Sequence, residues 1–173
     1  MKKILIPLFL LGTGFMMYIV SQTGAVLKTP QTKMGIINLE LANTAEKTNA
    51  VLHAWAPDAA NNRTEVAEFN TYLDLLFLFF YAGLLYLLCQ FIAENTRGSM
   101  IRVSLLIGNG AIIAGIADLL ENAGMLISLS GNGSSAVSFL TAFFSVIKWG
   151  LVVIAVLYVL VGLLVVAYRK IRN

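Results

Sequence analysis

Hydrophobic residues in this chain fall into four long runs that are separated by shorter polar stretches. The runs cover about residues 4–20, 70–92, 103–130 and 137–168. A helix needs about 20 apolar residues to cross the hydrocarbon core of a bilayer, and each run approaches or exceeds that length. The pattern predicts an all-α integral membrane protein: a four-transmembrane-helix bundle that forms one membrane domain over residues 1–173.

The segment between the first two runs has an amphipathic pattern. Over about residues 33–56, apolar side chains recur at helical spacing, and charged and amide side chains lie off that stripe. Thr29-Pro30 resembles a helix start and Pro57 a helix stop. We expect one extracytoplasmic amphipathic helix. It either lies in the interface with Trp55 among the headgroups or caps the bundle, and its mixed polar face favours the cap.

Composition agrees with a membrane protein. Hydrophobic residues make up 58% of the 173 residues and charged ones only 12%, whereas soluble domains carry about 25% charged residues. The mean hydropathy is +0.82. The membrane lipid is therefore an expected partner, and the net charge of +3 gives no reason to expect nucleic-acid binding.

The placement of basic residues predicts the orientation of the spans. Three basic clusters fall on one side of a four-span topology, which the positive-inside rule makes cytoplasmic. The clusters are Lys2 and Lys3, Arg97 and Arg102, and Arg169, Lys170 and Arg172. We expect a bacterial inner-membrane protein with both termini in the cytoplasm and residues 21–69 outside.

The first run permits a second interpretation. Lys2 and Lys3, an apolar run and the small residues around Gly24 resemble a secretory signal peptide. If it were cleaved, three spans would remain and the N-terminus would lie outside. The apolar run is long for a signal peptide, which favours a retained span.

Several classes of chemistry are excluded by residue counts. Cys89 is the only cysteine and His53 the only histidine, so a redox cysteine pair, a cysteine-based zinc site and a bis-histidine haem site are not expected. The chain also has no P-loop and no glycine-rich dinucleotide motif. We expect no cofactor.

Ionisable residues inside three of the runs are the strongest indication of function. Asp74 lies in the second run, Asp118 and Glu121 in the third, and Lys148 in the fourth. An uncompensated charge at bilayer depth costs at least ~2.5–3.5 kcal/mol, so each such group is a candidate functional residue.

Helical spacing predicts that these groups meet. Asp118, Glu121 and Asn122 share one face of a helix, as do Asp74 and Tyr81. At 1.5 Å rise per residue the acids lie at one level, in the outer half of the bundle, with Lys148 slightly deeper. Small residues in the third run place that helix at the centre. The residues predicted to cover the cluster from outside, as a lid, are Glu40, His53 and Trp55.

The charges of the predicted cluster do not balance. Three or four carboxyl groups beside one lysine cannot all be ionised in a dry site, so at least one should retain its proton. Such an arrangement suits proton transfer and acid–base chemistry, but it also occurs in a purely structural hydrogen-bond network. A weaker alternative is a metal ion held by the oxygens of Asp74, Asp118 and Glu121.

Three stretches together resemble a group of small uncharacterised bacterial multi-span membrane proteins. They are GIINLELANTAEKTNAVLHAW, LDLLFLFFY and GIADLLENAGML, within residues 35–126. In that group an ELA segment precedes a D-x-L-F…Y span and a D-x-x-E-N span. The resemblance implies the architecture and highlights Glu40, Asp74, Tyr81, Asp118, Glu121 and Asn122. It implies no substrate.

Three functions follow from these observations. The favoured one is an outward-facing acidic site that binds a small polar ligand, an ion, a proton or a lipid headgroup, with Lys148 as countercharge. The second is an intramembrane enzyme that modifies a lipid or isoprenoid and uses Asp118 and Glu121 as acid and base. The third is an accessory subunit whose acids contact another membrane protein. Catalysis is the less favoured of the first two, and a homo-oligomer or larger complex is compatible with all three.

Overall fold

The computed structural model describes residues 2–56 and 62–172, and these form an all-helical fold, 87% helix, without a strand. In this described part, four helices are long and apolar enough to cross a membrane. They are α1 (Lys2–Thr23), α4 (Arg63–Glu94), α5 (Ser99–Ile127) and α6 (Ser135–Arg172). Two short helices, α2 (Ile37–Glu40) and α3 (Ala45–Ala54), lie between α1 and α4. The prediction of an all-helical fold with four helices that could cross a membrane is thus confirmed.

The helix α5 packs between α4 and α6, and α1 packs on the other side of α4. The small residues of α5 make this central position possible, because they let neighbouring helices approach closely. A Cβ atom added at Gly115 would lie 3.0 Å from Ala82, and one added at Gly108 would lie 3.2 Å from Cys89. The predicted central position of the third span agrees with this packing.

The long helices extend beyond the predicted runs. Helix α4 begins seven residues earlier than expected, at Arg63, because the side chain of Asn62 accepts a hydrogen bond from the Glu65 amide and caps the helix. Helix α6 has 38 residues, hence a length of roughly 57 Å against a hydrocarbon core of ~30 Å. Its ends therefore project past the hydrocarbon region.

Helices α1 and α4 interlock through two glycines. Phe9 of α1 lies against Gly83 of α4, and Phe80 of α4 lies against Gly12 of α1, so that each ring occupies the space where a side chain would otherwise stand. At the far end of α1, the Asn70 amide donates to the Val20 carbonyl at 2.8 Å and to the Thr23 hydroxyl at 2.6 Å. These contacts join α1 to the rest of the bundle.

This interlock predicts a difference between two glycines of the same helix. An alanine Cβ at Gly12 would overlap the Phe80 ring, whereas in the described part of the chain no atom beyond the adjoining turns of its own helix lies within 4 Å of the Cβ position at Gly14. We expect Gly12→Ala to be less stable than Gly14→Ala by about 1–3 kcal/mol, because overpacking moves a side chain or the backbone. Comparing the two variants cancels the gain in helix propensity that both share. Unfolding titrations in mixed micelles measure the difference, and equal stabilities would contradict the interlock.

The predicted single helix over 33–56 is wrong. The chain forms α2 and α3 instead, because Thr44 adopts an extended conformation and its side chain accepts a hydrogen bond from the Lys47 amide, which starts a new helix. Thr29-Pro30 does not start a helix either. The Thr29 hydroxyl accepts from the Thr32 amide in a turn, and α2 begins only at Ile37. Pro57 lies outside the described residues.

The outer segment, residues 24–56, packs onto the bundle. Trp55 is fully buried, and its indole N–H donates to the Leu27 carbonyl at 2.9 Å and to the Thr32 hydroxyl at 3.1 Å. The Thr48 and Ser138 hydroxyls, which join α3 to α6, lie 2.8 Å apart. Trp55 is therefore a core residue of this segment and does not face lipid headgroups, and the segment's contacts agree with a cap.

Candidate functional site

The centre of the candidate site is the ammonium group of Lys148. Its Nζ atom lies 3.2 Å from Asp118 Oδ1, 2.9 Å from each carboxylate oxygen of Glu121, and 3.6 Å from Glu40 Oε2. All four side chains are at least nine-tenths buried. Three carboxyl groups, from α2 and α5, thus surround one ammonium group from α6.

Two polar side chains extend the network toward α4. The Tyr81 hydroxyl donates to Asp118 Oδ2 at 2.7 Å. The Asn122 amide donates to Asp118 Oδ1 at 3.2 Å and to Asp74 Oδ2 at 2.8 Å. Asp74 is the least buried of these carboxyl groups: Asp118 and Glu121 are fully buried, Glu40 is 6% exposed, and Asp74 is half-buried. It therefore lies at the edge of the network.

Helical periodicity accounts for most of this convergence. Asp118, Glu121 and Asn122 project from one face of α5, and Asp74 and Tyr81 share a face of α4. On α6, the buried residues Ser138, Thr141, Ser145 and Lys148 follow the same spacing. Pointing these three polar faces at one another removes them from lipid, which is the cheapest arrangement for polar groups at this depth.

Glu40 joins the cluster from outside the long helices. It is the last residue of α2, and its Oε2 atom accepts a hydrogen bond from the Trp149 indole at 3.2 Å in addition to its contact with Lys148. Sequence reasoning missed Trp149. Its position next to Lys148 in the sequence was the signal for a role in the cluster. The indole N–H of a tryptophan that packs against other protein usually has a hydrogen-bond acceptor.

The predicted lid residues separate into two groups. Glu40 contacts Lys148 directly, whereas His53 is exposed and Trp55 is buried in the core of the outer segment. Neither His53 nor Trp55 has a hydrogen bond or ion pair with the cluster among residues 2–56 and 62–172. Of the nine predicted site and lid residues, the structure brings together Glu40, Asp74, Tyr81, Asp118, Glu121, Asn122 and Lys148.

Among the described residues, three buried polar atoms at this level have no hydrogen-bond partner. They are Glu121 Oε2, Asn122 Oδ1 and Ser145 Oγ. Buried polar atoms in proteins are nearly always hydrogen-bonded, so each unpartnered one needs an explanation. Glu121 Oε2 does lie near the Lys148 ammonium, but that contact is not a hydrogen bond. The network as it stands has unused hydrogen-bonding capacity.

The cluster also carries an excess of acidic groups. Within the part of the chain that is described, Lys148 is the one cation that contacts Glu40, Asp118 and Glu121, and Asp74 is joined through Asn122. Several uncompensated negative charges in a buried site would cost several kcal/mol each. Protons bound to carboxyl oxygens would remove part of this uncompensated charge.

A metal ion is not favoured at this position. No group of three or more potential ligands in residues 2–56 and 62–172 is arranged to hold one. The Lys148 ammonium stands between Asp118 and Glu121, where a cation would have to bind. The alternative metal site of Asp74, Asp118 and Glu121 therefore has no support in the geometry.

Comparison of the chain with protein-family models, with curated proteins and with solved structures finds no match.

Proposed function

We propose that this is a small membrane protein that binds and releases protons at the Lys148 cluster. The observation that carries the proposal is the meeting of one buried ammonium group with the carboxyl groups of Glu40, Asp118 and Glu121. Asp74 is joined to Asp118 by the two hydrogen bonds of the Asn122 amide. A proton needs no cavity. The acidic and basic groups of this site already lie in direct contact. A proton fits such a site better than a ligand of several atoms does.

Asp74 is the carboxyl group with the best access for proton exchange, because it is the least buried of the four. The Asn122 amide donates to both Asp74 and Asp118 and so holds Asp74 beside the cluster, without relaying a proton itself. Glu40 provides a second acidic group on the side of the outer segment. We propose that both reach the extracytoplasmic side of a bacterial inner membrane, since the basic ends of the spans lie at the opposite end of the bundle.

The two other functional classes receive less support. An enzyme acting on a lipid or isoprenoid would need Asp118 and Glu121 to reach a scissile bond, yet both are fully buried and contact Lys148. An accessory subunit that used the acids to contact another protein would leave them unpaired within this chain. Here Asp118 and Glu121 both contact the Lys148 ammonium of the same chain.

The motifs behind the resemblance support the same site. All six residues that the motifs highlight belong to one hydrogen-bonded and ion-paired network. They are Glu40 of the ELA segment, Asp74 and Tyr81 of the second motif, and Asp118, Glu121 and Asn122 of the third. We therefore propose that the joint pattern identifies a group of membrane proteins with this acid cluster.

Proton uptake by the purified protein tests the proposal. Acidification from mildly alkaline to mildly acidic pH, followed with an indicator dye, should show that Glu121→Gln takes up fewer protons than the wild type, by up to one per chain. Glu46→Gln, which removes a carboxyl group from the exposed surface of α3, is the matched control and should give the wild-type curve. Equal uptake by folded wild type and Glu121→Gln would reject proton binding by Glu121.

A further inference from the structure

A groove with three arginines lies at the opposite end of the bundle from the Lys148 cluster. It is formed by the turn between α4 and α5 and by the last three turns of α6, and has a volume of about 950 Å³. Arg97 from the turn and Arg169 and Arg172 from α6 line it, together with Glu94. Pockets of ~300–1,000 Å³ hold molecules of drug size, so this groove has room for far more than a single small anion.

The arginines of the groove carry charge that the protein does not neutralise. Within residues 2–56 and 62–172, no carboxylate lies within ion-pair distance of Arg97, Arg169 or Arg172, and Glu94 takes part in an interaction of its own. The guanidinium group binds phosphate through two parallel hydrogen bonds and is always charged. Three such groups around one groove predict a ligand with a phosphate group.

The end of α4 does not need these arginines. Two carbonyl groups of its last turn are already satisfied locally, because the Thr96 hydroxyl donates to the Ile92 carbonyl and the Asn95 side-chain amide donates to the Phe91 carbonyl, both at 2.8 Å. The guanidinium groups therefore stay available to a ligand and are not consumed in capping the helix.

The remaining lining of the groove is apolar and follows the expected depth profile of a lipid. Val161, Leu164 and Val165 form its wall, Tyr168 follows, and the arginines stand at its end. From Val161 to Arg172 the helix rises roughly 16 Å. Apolar residues at chain depth, an aromatic residue at the boundary and arginines at headgroup level are the order found at a membrane interface.

A close helix contact lies beside the groove. A Cβ atom added at Gly162 would lie 2.6 Å from Ile92, so α6 touches α4 one residue after Val161 of the groove wall. The packing of α6 on α4 thus fixes the position of that wall.

We propose that this groove binds one anionic glycerophospholipid, with its phosphate between Arg97, Arg169 and Arg172 and the upper part of an acyl chain along Val161, Leu164 and Val165. Basic pockets between transmembrane helices are known to accept anionic headgroups, and each arginine near the surface contributes about 1 kcal/mol. The inference is independent of proton binding at the Lys148 cluster.

Native mass spectrometry of the full-length protein tests this site with phosphatidylglycerol and phosphatidylcholine. The wild type should retain one phosphatidylglycerol molecule in preference to phosphatidylcholine. The variant with Arg97→Gln, Arg169→Gln and Arg172→Gln should lose on the order of 100-fold in affinity for the anionic lipid, from three contributions of about 1 kcal/mol. The control is a variant with Lys28→Gln, Lys33→Gln and Lys47→Gln, which changes exposed lysines of the outer segment. It carries the same net charge as the arginine variant and should keep the preference for phosphatidylglycerol.

Two further measurements identify the source of the phosphate. Leu164→Trp fills the apolar wall and keeps every arginine, so it should weaken lipid binding and leave the arginines intact for an inorganic anion. Inorganic phosphate should fail to displace the bound lipid. Equal loss of preference in the arginine and lysine variants, or displacement of the lipid by inorganic phosphate, would overturn the proposal.

Discussion

Replacing Lys148 with methionine is expected to destabilise the fold by about 3–5 kcal/mol near neutral pH, the range measured when one partner of a buried ion pair is removed. The ammonium group of Lys148 contacts the carboxyl groups of Glu40, Asp118 and Glu121, so its removal leaves all three without a countercharge. Methionine retains much of the aliphatic volume of lysine, which limits the contribution of a cavity to the loss.

The size of this loss should depend on pH. Protonated carboxyl groups are neutral, so the destabilisation of Lys148→Met should shrink as the pH falls and grow as it rises. Combining Lys148→Met with Glu121→Gln should restore part of the stability, because one of the unpaired acids is then absent. Chemical unfolding in micelles over a range of pH measures both effects. Lys33→Met, at an exposed position, should differ little from the wild type, and a pH-independent loss in Lys148→Met would contradict the electrostatic explanation.

Replacing Trp55 with alanine should cost about 3–5 kcal/mol, the range for removing a buried aromatic side chain. Trp55 has no exposed surface and connects α3 with the chain around Leu27 and Thr32. Its loss leaves a cavity and removes the indole donor from two acceptors. Because Trp55 packs between the outer segment and the long helices, at Ala67 and Met125, its loss should release that segment while the four long helices stay helical.

A conservative variant separates packing from hydrogen bonding at Trp55. Phenylalanine fills most of the site and cannot donate a hydrogen bond, so Trp55→Phe should lose only about 1–3 kcal/mol. Limited proteolysis in detergent measures the effect, with cleavage in residues 24–56 expected to be fastest in Trp55→Ala and intermediate in Trp55→Phe. Wild-type protection in Trp55→Ala would show that the tryptophan does not hold the segment in place.

The long helices and their polar faces could be predicted from the sequence because both depend on local periodicity. An apolar run of the right length predicts a span whatever its neighbours are. The spacing of Asp118, Glu121 and Asn122 likewise determines which face of α5 carries them. Once three helices each have one polar face in an apolar medium, their convergence follows from the cost of exposing those faces to lipid.

The outer segment could not be predicted in the same way. Its two short helices depend on the Thr44 cap and on contacts between residues far apart in the sequence, such as Thr48 with Ser138 and Trp55 with Leu27. A periodic apolar stripe is compatible with one long helix or with two short ones. For the same reason, the position of Trp55 on an apolar stripe is compatible with an interfacial residue as well as with a buried one. The pairing of Trp149 with Glu40 likewise joins residues far apart in the sequence and could not be predicted.

The infrared spectrum of the wild-type protein in lipid tests the central claim most directly. If the Lys148 cluster holds protons, a C=O stretching band of a protonated carboxylic acid should be present at neutral pH. Carbon-13 labelling of aspartate or glutamate should shift it, and Asp118→Asn or Glu121→Gln should remove or change it. The absence of any such band in the folded wild type at neutral pH would mean that all four carboxyl groups are ionised. The account would then be contradicted, and the cluster would be a structural ion-pair network.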